Sequence, residues 1–377
     1  MAGTTAYREL TSARAGDVAF ASAVQEDNAD IRRLLRENPM AGRIAITMER
    51  EPDFFAEADG LGTEKQTIVA RAGGRVICVG SCTIRERFVN GQPRRVGYLG
   101  GLRLDQSVAG RFDILRRGYQ FFQELQADRP ADFYFTSIAA DNVPARTFLE
   151  RGLPGLPAYE FIGDYVTVLI PVAGRVPRRT APADEVLDFS DILDCLNEHG
   201  REHQLAACWS DQELLMLQAL NLKAADFCIV RAGGRIKAGG ALWDQRAFKQ
   251  TKIHSYAPWL ARARPAINLA SRLIGTTRLP AAGSTLAHAF LSPFMLAPNE
   301  PDALAELVVK AGARASERGI EFLTLGLAAN DPRLTMLRRR FRRREYRSRI
   351  YVVRWPELGG AARELDQRYL GPEAAGL

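Results

Sequence analysis

The sequence predicts an α/β protein built as two tandem domains, and three observations predict it. The chain has 377 residues, more than one ordinary hydrophobic core organises, so two cores are the starting expectation. The segment Arg71-Ala72-Gly73-Gly74-Arg75 recurs as Arg231-Ala232-Gly233-Gly234-Arg235, and Gly80 meets Gly240 and Phe88 meets Phe248 at the same shift of 160 residues. A period that long is a duplicated domain rather than a solenoid repeat. In both copies, strand-sized apolar runs alternate with stretches of helical periodicity, which is an α/β order. The expected division is a first domain at 1–172, a linker at 173–186, a second domain at 187–355 and a tail at 356–377.

The elements follow from local signals. Copy one reads as strand Val18 to Ala23, helix Asp30 to Glu37, helix Glu51 to Asp59 and strand Thr67 to Arg71. The Gly-Gly pair is a hairpin turn into strand Arg75 to Phe88, and Asn90-Gly91 is a second hairpin turn into strand Arg95 to Leu104. After Gly110 comes a helix whose Phe112, Leu115, Tyr119 and Phe122 recur at helical spacing. Strand Phe133 to Ala139 is next, and Asp141-Asn142 caps a short helix, Pro144 to Arg151. An extended stretch, Tyr159 to Val172, closes the copy. Pro171 to Ala183 has linker composition. Copy two repeats the order with helices Ser190 to Glu198 and Ser210 to Leu220, then strands Asp226 to Arg231, Arg235 to Phe248 and Leu286 to Met295. Helix Asp302 to Arg318, strand Glu321 to Leu327, helix Pro332 to Arg340 and strand Tyr346 to Trp355 complete it. An apolar, basic insertion, Ala257 to Ala282, interrupts this copy, and the tail offers one helix, Ala361 to Leu370.

Composition excludes several classes. At 46% hydrophobic and 25% charged, the chain is globular rather than disordered. Met1 to Gly16 has no apolar stretch behind a basic segment, and the best apolar run, Tyr165 to Val172, is strand-sized. A soluble cytoplasmic protein with no membrane partner is therefore expected. Cys78, Cys82, Cys195, Cys208 and Cys228 are odd in number and never form CxxC, so neither disulfides nor a zinc site is indicated. His199 and His203 lie four apart, but Gly200 interrupts them, so solvated helix-end histidines are expected and no metal. The run Arg338-Arg339-Arg340-Phe341-Arg342-Arg343-Arg344 and the net charge of +7 invite nucleic acid. No zinc finger, RNP-like segment or aromatic platform accompanies the run, so nucleic-acid binding is not expected. Trp243, Asp244, Gln245 and Arg246 fall on one predicted strand, where they would line a substrate cleft between the domains, make an interdomain contact or pair as surface ions.

Three segments carry a family resemblance: the hairpin ending in Gly80; Val96-Gly97-Tyr98-Leu99-Gly100-Gly101-Leu102-Arg103-Leu104 followed by Gly110-Arg111 and a helix; and Asp141-Asn142-Val143-Pro144-Ala145 followed by Phe148 to Gly152. These are similar to the third-strand glycine, the pyrophosphate segment and the Asn-x-x-Ala helix of the GNAT N-acetyltransferase superfamily. The tandem layout resembles that of the mycothiol synthases. The resemblance implies that each domain is a mixed, mostly antiparallel twisted sheet flanked by helices. It also implies acetyl-CoA or another acyl-CoA as co-substrate, without a metal.

The chemistry fits those parts. Exposed amides at a helix start bind phosphate, helped by the helix dipole, and Arg111, Arg116 and Arg117 add positive charge. The resemblance assigns Leu102, Arg103, Leu104, Ala109, Gly110, Arg111 and Asn142 to the cofactor, with the strand's free backbone groups pairing the pantetheine arm. It departs from the family at Phe112, where a second glycine is usual, and at Leu149 and Leu337, where the family's acid is often tyrosine. Tyr98 and Asp141 are the substitutes that could reach the cleft. In copy two, Ser292 to Asn299 has no glycine and includes Pro298, so no productive cofactor binding is expected there. The implied reaction is attack of a small amine or amino-acid-like metabolite on the thioester. A non-catalytic CoA sensor or scaffold, and acylation of a protein or RNA partner, stand as alternatives. Oligomeric state is open.

Overall fold

The computed structural model describes residues 18–40, 42–56, 64–108, 110–172, 189–274, 278–297, 300–355 and 365–377. The first half runs β1 (Ala19–Ser22), α1 (Asn28–Glu37), β2 (Ile44–Glu49), β3 (Glu64–Ala72), β4 (Arg75–Val89), β5 (Gln92–Leu104), α2 (Phe112–Gln126), β6 (Phe133–Ala139), α3 (Val143–Leu149) and β7 (Ala158–Pro171). Its hairpins fall where the turn residues put them. Ala72 faces Arg75 across the Gly-Gly turn, and Val89 faces Gln92 across Asn90-Gly91. Helix α1 buries Ile31, Leu34 and Leu35, one face at helical spacing, against Val69, Val76 and Val79. On α2 the fully buried positions are Ile114, Phe122 and Gln126, so the inward face is rotated from the predicted one, with Gly118 facing the Phe20 ring of β1.

The second half runs α4 (Phe189–Arg201), β8 (His203–Gln204), α5 (Asp211–Met216), β9 (Phe227–Ala232), β10 (Arg235–Trp243), β11 (Gln250–Tyr256), α6 (Pro258–Ile274), β12 (His288–Leu296), α7 (Pro301–Glu317), β13 (Phe322–Ala328), α8 (Pro332–Arg340), β14 (Arg344–Arg354) and β15 (Tyr369–Leu370). Ser210 and Glu213 form a capping box that starts α5, and Ala232 faces Arg235 in the copy of the Gly-Gly hairpin.

The described strands build one 11-stranded sheet in the order β1-β3-β4-β5-β6-β14-β7-β13-β12-β10-β9. Its centre is a reciprocal exchange. Strand β14 of the second half lies between β6 and β7 of the first, with Ser348 to Val353 on Ala139 to Tyr134 and Arg344 to Arg354 on Leu169 to Ala158. Strand β7 in turn pairs with β13, Phe322 to Ala328 on Pro171 to Tyr165. Each closing strand is therefore flanked by the other half. A second contact between halves is the two-stranded sheet β2–β11.

Three further expectations differ from the structure. Residues 51–56 are bends rather than helix, and 57–59 lie outside the described residues. The chain instead spends Ile44–Glu49 on β2, whose partner β11 lies in the far half. The tail helix is not formed at 365–370, because Tyr369 and Leu370 pair with His203 and Gln204; residues 361–364 lie outside the described residues. Strand β10 stops at Trp243, where Asp244 and Arg246 close a turn by an ion pair at 2.6 Å. The linker also lies outside the described residues. All five cysteines are free, and no described helix is long and apolar enough to cross a membrane.

Candidate active site

The site is a wedge in the sheet. Strands β5 and β6 pair in parallel only from Val96 and Phe133 to Leu99 and Thr136. Beyond Leu99, β5 stays on β4, while β6 continues along β14 to Ala139. The separation has a local cause. Between the pairs Val79–Arg103 and Ser81–Gly100, β5 carries one extra residue, and Gly101 takes φ +67° there. A bulge of this kind bends its strand and increases the twist. Thr136 Oγ1 donates to the Leu99 carbonyl at 2.7 Å, bridging the strands at the point of divergence. The backbone of Gly100 to Leu104 on that side faces the wedge, not a strand.

At the wedge mouth the chain turns into α2. Buried Asp105 organises the turn. Its carboxylate accepts from the Ser107 backbone N–H at 3.0 Å and from Ser107 Oγ at 2.7 Å, and takes Arg33 and Arg75 at 3.0 and 3.1 Å. The Ser107 bonds hold its pKa down at about 2. Gly110 has φ +82° with nothing within reach of a Cβ, so backbone conformation rather than space requires glycine there. Helix α2 begins at Phe112 without a cap from the Arg111 side chain; the Asp113 carboxylate takes its own N–H, and the other first-turn amides have no partner within the helix. Phe112, in the place of the family's second glycine, packs edge-on against Phe148 of α3 at 5.3 Å. The start of α2 thus lies against the last turn of α3. Arg111 is held by Asp113 at 2.6 Å, and Arg117 donates to the Val18 carbonyl at 2.7 Å. Ala109 lies outside the described residues. Asn142 caps α3, its Oδ1 accepting from the Ala145 N–H at 3.3 Å.

Tyr98 stands on the face of β5 that also carries Arg103, diagonal to Arg85 on β4. Its ring packs on Phe135 at 5.0 Å. Burial pushes the phenol up to about 12, against the pull of Arg87, Arg103 and Arg50. Across the wedge, Tyr346 of β14 is raised by burial and then by the Asp141 carboxylate, and feels Arg103 and Tyr98. Tyr98, Arg103, Asp141 and Tyr346 therefore share one rim. Sequence reasoning missed Tyr346 and Arg50: the first arrives through strand exchange and the second follows β2. Leu149 and Leu337 are buried core residues.

The second half walls this face. The Arg85 guanidinium lies 4.3 Å over the Trp209 ring and pairs with Glu213 at 3.0 Å. Arg87 donates to the Leu205 carbonyl at 2.9 Å. His199 and His203 are not solvated, contrary to expectation. Their rings are 4.2 Å apart, and His203 contacts Arg333 at 2.8 Å. Burial lowers both.

Strands β12 and β13 also part, after Phe290 and Thr324, but residues 371–377 lie against both. Ser292 Oγ donates to the Glu373 carboxylate at 2.5 Å, the Phe294 N–H donates to it as well, and Lys249 Nζ donates to the Ala375 carbonyl at 2.8 Å. Glu300 precedes α7, which opens on Pro301, and pairs with Lys237 at 2.8 Å. Pro298 and Asn299 lie outside the described residues. The basic run is partly spent on ion pairs, Arg338 and Arg343 to Glu345 and Arg340 to Asp302.

No protein-family model and no curated protein matches this sequence. Solved structures do match in fold. Saccharomyces cerevisiae N-myristoyltransferase with bound myristoyl-CoA superposes with TM-score 0.59 at 11% identity, covering 92% of this chain and 85% of that one. A GCN5-related N-acetyltransferase from Sphaerobacter thermophilus superposes with TM-score 0.50 at 14% identity, covering 89% and 95%. The chain thus has the GNAT fold, a mixed α/β sheet flanked by helices.

Proposed function

We propose that the protein is an acyl-CoA-dependent N-acyltransferase working in the first-half wedge. The observation that carries this reading is the bulge-opened backbone of Gly100 to Leu104 leading to the uncapped start of α2. An extended pantetheine arm would add to the free edge of β5, through the backbone of Leu102, Arg103 and Leu104. Its pyrophosphate would meet the amides around Ala109 and Gly110 and at the helix start, with the Arg111 side chain beside them and Asn142 across the wedge; the Arg111 N–H itself donates to the Val108 carbonyl at 3.1 Å.

The amine nitrogen attacks the thioester carbonyl carbon, the C–S bond breaks, and the proton lost by the nitrogen is balanced by one gained at sulfur. Tyr98, which keeps its proton at neutral pH, is the donor to the leaving thiolate. Asp141, exposed at the opposite rim, is the group to receive the amine proton, directly or through water. Trp209 and Glu213 closing over Arg85 support a small amine or amino-acid-like acceptor in a cleft shaped by both halves. Phe122, Tyr134 and Trp355, packed ring to ring at 5.1–5.6 Å beneath Leu99, support a short acyl group such as acetyl. In the second half, the packing of residues 371–377 against β12 and β13 and the Glu300 carboxylate before α7 support one acyl-CoA per chain.

Calorimetry with acetyl-CoA, followed by thiol release with an amine panel, tests the reading. One-to-one binding and amine-dependent release are expected. Absence of binding by folded protein overturns it. A second reading, a CoA sensor, is favoured by the leucines at the usual acid position, and binding without release by any amine would select it.

A further inference from the structure

Among the described residues, helix α6 carries three exposed large apolar side chains, Trp259, Ile267 and Leu269. It fills the insertion between β11 and β12, and its inward face is already engaged. Leu260 and Ser271 are buried, Arg264 Nε donates to the Leu279 carbonyl at 3.2 Å, and Asn268 makes a reciprocal pair with Leu279 at 2.7 and 3.0 Å. Those positions repeat at helical spacing and fix which side looks out. The outer side carries Trp259 at 58% exposure and Leu269 at 61%, with Arg262 exposed between them, while Ile267 lies on the flank at 36%. Most large apolar side chains elsewhere in the molecule are covered.

The charge pattern identifies what would cover it. From Pro258 to Gly283 the only charged residues are Arg262, Arg264, Arg272 and Arg278, and no acidic residue occurs between Asp244 and Glu300. A second copy of the same face would bring arginines against arginines with no carboxylate to pair them. An anionic lipid surface supplies both missing partners, phosphates for guanidinium groups and an apolar boundary for a tryptophan and a leucine. We propose that α6 docks the protein flat on an anionic membrane surface, with Trp259 and Leu269 in the headgroup boundary and the exposed Arg262 and Arg278 on lipid phosphates. Span length, which led to no membrane partner being expected, bears on crossing a bilayer and not on lying against one. The helix stands near the wedge: Tyr256 at its foot lies in the field of Arg344, two residues from Tyr346, so docking would hold the acyl-transfer cleft close to the lipid.

The tryptophans give a selective test, because Trp209, Trp243 and Trp355 are 7%, 5% and 7% exposed and Trp259 alone is open to solvent. Full-length protein is titrated with phosphatidylcholine vesicles, with and without one phosphatidylserine in three lipids, while tryptophan emission, acrylamide quenching and co-sedimentation are followed. A blue shift and loss of quenching with the anionic vesicles are expected, reversed by salt and absent in Trp259→Phe. Leu269→Asp, at an exposed position that leaves the fold intact by circular dichroism, should weaken partition on the order of tenfold or more. Unchanged emission and no co-sedimentation overturn the proposal. So does equal binding to neutral vesicles. Protection of Trp259 by acetyl-CoA alone, or lipid-free dimerisation abolished by Leu269→Asp, also overturns it, in favour of a lid or a second copy.

Discussion

Burial keeps the Tyr98 phenol protonated up to about pH 12, so it remains an acid over the range in which amines become free bases. Tyr98→Phe is expected to lower kcat by about two orders of magnitude while the calorimetric Kd for acetyl-CoA stays put. An equal loss in both would reassign the ring to cofactor packing on Phe135. A fall in rate well below pH 12 belongs to some other group. Glu373 is the second buried acid, raised to about 7, first by burial and in spite of Ser292, Arg85 and Arg87. The folded state holds this proton more tightly than the unfolded chain does. Its contribution is therefore full below the ordinary glutamate range and is lost as pH rises towards 7. Each unit is worth about 1.4 kcal/mol, so the loss is on the order of 3 kcal/mol. Glu373→Gln keeps an oxygen for Ser292 and the Phe294 N–H but carries no titrating charge. Its Tm should match the parent near pH 4 and exceed it above pH 7; a gap that does not widen with pH would refute the assignment.

Among elements, the turn from β5 into α2 has the sharpest requirement. Gly110→Ala meets no steric obstacle but must hold φ +82°, a left-handed conformation that costs on the order of 1 kcal/mol for a residue with a Cβ. Its acetyl-CoA affinity should fall severalfold with Tm nearly unchanged. Gly110→Pro, whose ring fixes φ near −65° and removes the N–H, should abolish binding. Wild-type affinity in a folded Gly110→Pro protein would remove the anion site from this turn. That turn was legible because its signals are local, as were Phe133–Ala139 and Pro332–Arg340, whose observed limits equal the predicted ones. Strand β2 was not legible. Its register is set by β11, with Glu49 facing Gln250, and no short-range pattern reports a partner two hundred residues away. Helix α6 was left as an insertion because Pro265 lies inside it and proline normally argues against a helix interior. Of the rim, Tyr98 and Asp141 stood beside recognisable motifs, whereas Tyr346 comes from the far half on a strand without any motif.

At the scale of the molecule, strand exchange makes the two copies interdependent. A protein ending at residue 172 would leave β6 with no strand on its β14 side and β7 without neighbours on either side, and long unpaired edges are templates for aggregation. The wedge would suffer too, since Tyr346, Trp209 and Glu213 all come from the second half. Residues 1–172 made alone should therefore be insoluble or unfolded. Residues 1–172 and 189–377 made together should co-purify in equal amounts and bind acetyl-CoA, because the exchanged pairing does not need the covalent link. Calorimetry on the intact chain should record one cooperative transition, since no set of strands can be removed from the centre of the sheet without opening both copies. A folded, monomeric 1–172 fragment, or two well-separated transitions, would mean that each copy can close its sheet with its own last strand. The exchange would then be dispensable, and the rim would have to work without Tyr346.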